Sequence, residues 1–321
     1  MILIIIIILI IIYLIYTKIC TNYFSNIKNP FKIDIVYTWA GENNDQNDIR
    51  EAYNNELKYS LRSVFKNVSW VNHIYIVINT PIEDNIPSWF NDKYNDKITL
   101  VDQKEIFPKE KHDLLPCKVA DIIETYIHLI PGLSEHFIFL NDDFFINKPL
   151  KFDNFFSSNK KIIINKDNLN FINMNKNKYD NRNYPFILKY KLYHQHVPYN
   201  MTISSRKEFI NKYIEWIQFI RNQSYEKRTD MDSCSKHDLN SNCFQIHGPY
   251  FIYMYLNNKA IIDINYNQKY ITGDVLNIYK LRFQFFNNSN FFVLNNIKSE
   301  YKTEIQKLLE QKFNNKLYFE K

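Results

Sequence analysis

Two adjacent carboxylates, Asp142 and Asp143, follow Asn141 at the end of an apolar run. Side by side at a strand end, they present the hard oxygens that suit Mg²⁺ or Mn²⁺ bridging a diphosphate. The same residues also have the composition of a plain turn, because Asn and Asp hydrogen-bond their own backbone. Upstream, Glu124 and His128 stand at the spacing of one helix face, as an acid–base or ligand pair or as a solvated surface pair. His194 and His196 fall on one side of a possible strand in His194-Gln195-His196-Val197-Pro198. A two-histidine metal site needs a third ligand that the sequence does not identify, whereas one histidine acting as a general base needs only a positioned acceptor. Arg62 and Arg228 are isolated guanidinium groups, each a surface charge or a bidentate contact for phosphate.

The elements that must position these groups can be read from periodicity. Ile33-Asp34-Ile35-Val36-Tyr37-Thr38-Trp39 is β-branched and aromatic and predicts a buried strand. Leu57, Leu61, Val64, Phe65 and Val68 predict an amphipathic helix over residues 55–68. Two more strands are expected at residues 74–78 and 98–101. A helix carrying Ala120, Ile123, Ile127 and Ile130 should stop at Pro131-Gly132, and a fourth strand, Phe137-Ile138-Phe139-Leu140, runs into Asn141. Strands alternating with helices predict an α/β fold with a mostly parallel sheet flanked by helices. Ligands bind such sheets beyond the carboxyl ends of the strands, where Asn141-Asp142-Asp143 is expected to lie. Residues 156–185 are rich in Asn and Lys and read as an insertion, and residues 299–313 read as a closing amphipathic helix.

Composition narrows the function classes. The chain has 321 residues with Lys+Arg 40 against Asp+Glu 34, a net charge of +6 without a basic block, which argues against nucleic acid as a partner. Only 4 residues are glycine, so neither a dinucleotide-binding nor a P-loop glycine motif is present. Residues 2–16 form an unbroken apolar run somewhat short of the ~30 Å hydrocarbon core. The expected organisation is a membrane signal anchor over residues 1–17, a stem over 18–30 and one catalytic body over 31–321, single-pass in a membrane. Lysines after the run favour a cytosolic body, and four Asn-x-Ser/Thr patterns point the other way, to a luminal one. Cys234 and Cys243 bracket a polar loop and could pair in an oxidising compartment.

Several stretches, taken in order, carry a resemblance. They are Asp34-Ile35-Val36-Tyr37-Thr38-Trp39, then Glu56-Leu57-Lys58-Tyr59-Ser60-Leu61-Arg62-Ser63, then Ile86-Pro87-Ser88-Trp89. Ile123-Glu124-Thr125 follows, with Ile130-Pro131-Gly132-Leu133-Ser134-Glu135-His136-Phe137 and Leu140-Asn141-Asp142-Asp143. Later come His196-Val197-Pro198, Arg228 with Asp230, and the chain end at Phe319-Glu320-Lys321. Together they resemble the Stealth family of sugar-1-phosphate transferases over residues 31–321. The resemblance implies a Rossmann-like fold of the nucleotide-sugar-transferase type. It implies transfer of a sugar-1-phosphate from a UDP-sugar donor to a hydroxyl of a glycan or glycoprotein acceptor, with release of UMP. Asp142 and Asp143 would hold Mg²⁺ or Mn²⁺, with Asp143 also counted among the catalytic groups beside Glu124, and His196 would be the catalytic base. Asp34, Arg62, Arg228 and Asn141 would bind substrate. An ordinary metal-dependent glycosyltransferase releasing UDP, or a member that binds glycan or nucleotide without turnover, are the alternatives. The family pattern is altered at Val119, Ala120 and Asn296.

Overall fold

The structure is a computed structural model that describes residues 30–42, 55–91, 96–165, 197–225, 246–265, 267–272, 282, 285–286, 288–295 and 301–321. The chain divides into Met1–Lys32 and Ile33–Lys321, and the second unit holds every element considered below. Its strands are β1 (Ile33–Thr38), β2 (Ile74–Ile78), β3 (Ile98–Asp102), β4 (His136–Leu140), β5 (Phe144–Ile146), β6 (Ile162–Asn165), β7 (Tyr199–Thr202), β8 (Ala260–Asp263), β9 (Gln268–Thr272) and β10 (Phe291–Asn295). Its helices are α1 (Glu56–Asn67), α2 (Gln103–Ile106), α3 (Ala120–Glu124), α4 (Ile203–Lys212), α5 (Ile214–Arg221), α6 (His247–Leu256) and α7 (Lys302–Lys312).

The main sheet has the order β3-β2-β1-β4-β7. β1 pairs in parallel with β2 and with β4, and β2 pairs in parallel with β3. β7 closes the edge antiparallel to β4, with Phe139 opposite Tyr199. The chain therefore runs outward from β1 through β2 to β3, then returns to place β4 on the other side of β1. That reversal opens a crevice between the carboxyl ends of β1 and β4, the place where open α/β sheets take their ligands. β1, β2 and β4 are almost wholly buried, as their predominantly apolar sequences require of central parallel strands.

A second sheet of order β5-β10-β9 was not anticipated from the aromatic final third of the sequence. Phe145, Phe292 and Phe313 stack face to face there, over Leu308 and Leu309 of α7 and Tyr59 of α1. Helix α1 is thus covered on both sides, which explains why nine of its residues are buried although its sequence reads as amphipathic. Part of the expected insertion is also structured, since β6 pairs in parallel with β8. Residues 166–185 lie outside the described residues.

The helix expected through residues 120–130 is interrupted. It ends at Glu124 and resumes as a separate 3₁₀ turn at Ile127–Leu129. Thr125 Oγ1 donates back to the Ile122 carbonyl at 2.7 Å, a local bond that competes with helix propagation. Glu124 and His128 consequently do not share one helix face. Gly132, at φ +79°, supplies the left-handed turn that sends the chain into β4.

Among the described residues no helix is long and apolar enough to cross a membrane. The apolar run at residues 2–16, on which the expected anchor rests, lies outside them, as do Cys234 and Cys243.

Candidate active site

The turn Asn141-Asp142-Asp143 leaves β4 on the β1 side of the reversal, at the carboxyl-end crevice. Two backbone bonds shape it: Phe144 N–H donates to the Asn141 carbonyl at 3.2 Å, and Leu294 N–H of β10 donates to the Asp143 carbonyl at 3.1 Å. The second sheet therefore grips the turn directly. Asp142 and Asp143 are both partly exposed. Asn141 Oδ1 is buried and has no hydrogen-bond partner among the described residues.

Beneath the turn, α1 presents a polar stripe to β5. Ser60 Oγ donates to the Phe144 carbonyl at 2.5 Å and lies 2.9 Å from the Tyr37 hydroxyl. One turn later Ser63 Oγ accepts from Ile146 N–H at 3.0 Å, and Asn67 Nδ2 donates to the Ile146 carbonyl at 2.6 Å. Residues spaced by three and seven positions share a helix face, so a single face of α1 fastens the strand that follows the two aspartates. Tyr37 is fully buried there; burial pushes its phenol well above the usual range, and the charge of Asp142 adds to the shift. Ser60→Ala would leave the Phe144 carbonyl without its donor, at an expected cost of about 1–3 kcal/mol. The check is the urea midpoint, and a midpoint equal to that of the parent chain would show that the stripe does not hold β5.

Glu124, at the end of α3, is buried, and its Oε2 lies 2.6 Å from His247 Nε2. His247 opens α6 and its ring packs against Tyr199 of β7 at 4.1 Å and Phe139 of β4 at 5.1 Å between ring centroids. Phe139 stands two residues before Asn141, so Glu124 and its partner belong to the carboxyl half of the central strand. His128 faces a different set of groups: burial, with Arg206 and Arg221 nearby, pushes its imidazole down to about 3.

Two of the expected substrate contacts have other duties. Arg62 is 5% exposed, and its Nε and Nη2 donate to both oxygens of Glu320 at 2.8 and 2.7 Å. Its Nη1 donates to Glu310 Oε2 at 2.8 Å and to the Phe313 carbonyl at 2.7 Å. With its donors engaged by the chain's own C-terminal segment, Arg62 is not disposed to meet phosphate. Asp34 lies at the amino end of β1, remote from the crevice. It accepts from Asn72 Nδ2 at 2.7 Å and from Ser134 N–H at 2.6 Å, which ties the loop before β4 to β1. His196 and Arg228 lie outside the described residues. Val197 and Pro198 do not, and they lead into β7 at the end of the sheet where β4 leaves.

Sequence reading missed His247, Arg206, Arg221 and the serine stripe. Only the stripe had a visible signal, since Ser60, Ser63 and Asn67 interleave with the apolar Leu57, Leu61 and Val64 at helical spacing.

Asp142, Asp143 and Asn141 Oδ1 form an all-oxygen set of the kind that Mg²⁺ or Mn²⁺ accepts. Among the described residues no group of three His, Cys, Asp or Glu could hold a metal. A cation here would therefore draw its other ligands from water and from phosphate oxygens, the usual habit of Mg²⁺ at diphosphates.

Residues 50–164 match the family model described as Stealth protein CR2, conserved region 2. The chain is 36% identical over 151 residues to the capsular polysaccharide phosphotransferase LcbA of Neisseria meningitidis, covering 41% of this chain and 39% of that protein. It is 36% identical over 155 residues to the capsular polysaccharide phosphotransferase fcs1 of Haemophilus influenzae, covering 42% and 40%. It is 36% identical over 146 residues to the exopolysaccharide phosphotransferase SCO6023 of Streptomyces coelicolor, covering 40% and 24%. The matches thus span two fifths or less of each relative's length. Among solved structures, an active-site mutant of LgtC aligns with TM-score 0.38 and 9% identity over 87% of this chain and 95% of that one, a likeness too distant to carry weight.

Proposed function

We propose that this chain, whose residues 50–164 match conserved region 2 of the Stealth proteins, is a transferase of phosphate-containing groups. In this reading it moves a sugar-1-phosphate from a UDP-sugar to a hydroxyl of a glycan or glycoprotein acceptor. The observation that supports it most is the placement of Asn141-Asp142-Asp143 at the crevice between β1 and β4, inside the matched region. Residues 2–16 would anchor the body to a membrane.

The acceptor oxygen attacks the phosphorus that bears the sugar. The new P–O bond forms as the P–O bond to the uridylyl group breaks, and UMP departs with the bridging oxygen. The acceptor proton passes to a base, the role proposed for His196, and Arg228 would contact phosphate. A divalent cation held by Asp142 and Asp143 would neutralise diphosphate charge. What the chain itself contributes is mainly placement: a rigid strand end, a turn fastened from α1 and β10, and a buried carboxylate at Glu124. A general base contributes typically ~10²–10⁴-fold.

The test is product analysis. Purified chain with Mg²⁺, an acceptor glycan and a panel of UDP-sugars is expected to release UMP. Release of UDP would overturn the reading, because it marks cleavage of the sugar–oxygen bond by a glycosyltransferase.

A further inference from the structure

We infer that Glu124 is set in place by three residues distant in sequence, Arg206, Arg221 and His247, with His247 the positioning residue that aims its carboxylate. The inference rests on the reading above, in which Glu124 stands beside the reacting groups.

α3 has only five residues, too few to hold itself as a helix, and its last carbonyls have no partners within it. The Ile122 and Ile123 carbonyls accept from Thr125 and Tyr126 N–H, and two guanidinium groups take the next two. Arg206 Nη2 donates to the Glu124 carbonyl at 3.0 Å. Arg221 Nη2 donates to the Thr125 carbonyl at 2.9 Å and its Nε to Thr125 Oγ1 at 3.0 Å, while the guanidinium lies 4.1 Å over the Tyr126 ring. Positive charge at a helix carboxyl end is also favourable to the helix dipole.

The arrangement is costly, and that is informative. Arg206 is fully buried, yet its Nε and Nη1 make no hydrogen bond among the described residues, nor does either ring nitrogen of His247, although Nε2 lies 2.6 Å from Glu124 Oε2. Buried polar groups are ordinarily satisfied, so four nitrogens without a hydrogen bond, on the two residues that meet Glu124, mark a cluster kept for something other than stability. His247 provides the contact to the carboxylate itself, and the Tyr199 and Phe139 rings fix its plane. The charged groups that act on His247 are Glu124 and Arg206. Burial pushes the imidazole down, and Glu124 opposes that shift. The 2.6 Å approach of Nε2 to Glu124 Oε2 is the contact through which the ring holds the carboxylate.

His247→Phe keeps the ring packing against Tyr199 and Phe139 and deletes the nitrogen that meets the carboxylate. A buried carboxylate without a donor resists ionisation, so the acid limb of the pH–kcat profile for UMP release should move up by about one pH unit, a roughly tenfold loss below the limb. His247→Gln, which restores an N–H, should bring the limb back. Arg206→Lys keeps charge but loses the planar fork, and should lower kcat about tenfold with KM unchanged. Carbon-detected NMR titration of the Glu124 carboxylate in the same proteins reads the ionisation without turnover. A limb and a carboxylate titration in His247→Phe that coincide with the parent chain would overturn the inference. If no variant, nor the parent, releases UMP, the NMR titration alone decides it: a shift in His247→Phe that His247→Gln reverses sustains the positioning role even as the transferase reading fails.

Discussion

Asp142→Asn is expected to slow UMP release by roughly 10³-fold while leaving the fold standing. The turn that carries Asp142 is shaped by backbone bonds from Phe144 and Leu294 and fastened through Ser60, none of which uses the carboxylate. What the substitution removes is one negative charge from the oxygen set proposed to hold a divalent cation against a diphosphate. Lewis-acid stabilisation of that kind is worth several kcal/mol, and each ~1.4 kcal/mol is a factor of ten in rate. The measurement is UMP release across a Mg²⁺ titration, with thermal unfolding in metal-free buffer recorded alongside. A parental rate at every Mg²⁺ concentration would remove Asp142 from the cation site. A parental melting temperature with a collapsed rate would confirm that the carboxylate serves chemistry and not structure.

The second large effect concerns stability. Arg62→Ala is expected to destabilise the chain by about 3–5 kcal/mol, because removing one partner of a buried ion pair strands the other. Here the stranded group is Glu320, whose side chain is 2% exposed. The damage should extend along the C-terminal segment, where Asn91 N–H donates to the Phe319 carbonyl and Lys321 N–H to the Trp89 carbonyl. Since whole domains are stable by only about 5–15 kcal/mol, a loss of this size is a large share of the total. Glu310 supplies the contrast. It also meets Arg62, but its side chain is 50% exposed, so Glu310→Gln should cost less than about 1 kcal/mol. Replacing both buried partners, Arg62→Met with Glu320→Met, should recover most of the loss, because an apolar pair of similar volume carries no desolvation cost. Urea midpoints of the four proteins check this. An Arg62→Ala midpoint near that of the parent chain would mean that the C-terminal segment does not depend on the pair.

How far the sequence could be read differs by element. The strands at residues 33–38, 74–78, 98–102 and 136–140 were legible because each is dominated by β-branched, aromatic or other apolar residues, as strands of a largely buried parallel sheet require. Helix α1 was legible from Leu57, Leu61 and Val64, and its burial on a second side was not, since that depends on Phe145 and Phe292 arriving from elsewhere. β9 and β10 were missed because a chain so rich in aromatics along its final third has no clear period. The break after Glu124 was missed for another reason. The apolar positions continue at helical spacing through Ile130, and the helix stops because Thr125 bonds its own backbone and two arginines take the carbonyls.

The site divides along the same line. By itself the sequence determined that two aspartates close the fourth strand, that a helix-flanked and mostly parallel sheet carries them, and that no glycine loop could serve phosphate. These are local matters of residue type and short spacing. Tertiary structure alone decided the partners. Arg62 reads as a candidate phosphate ligand, yet it is matched to Glu320, 258 positions away. Asp34 reads as a substrate contact and instead ties a loop to the far end of the sheet. Glu124 reads as the companion of His128 and proves to be the companion of His247. A charged side chain brought into a low-dielectric interior must find a partner of opposite sign or a hydrogen bond, and which one it finds depends on how the whole chain is routed, information that short-range spacing does not contain.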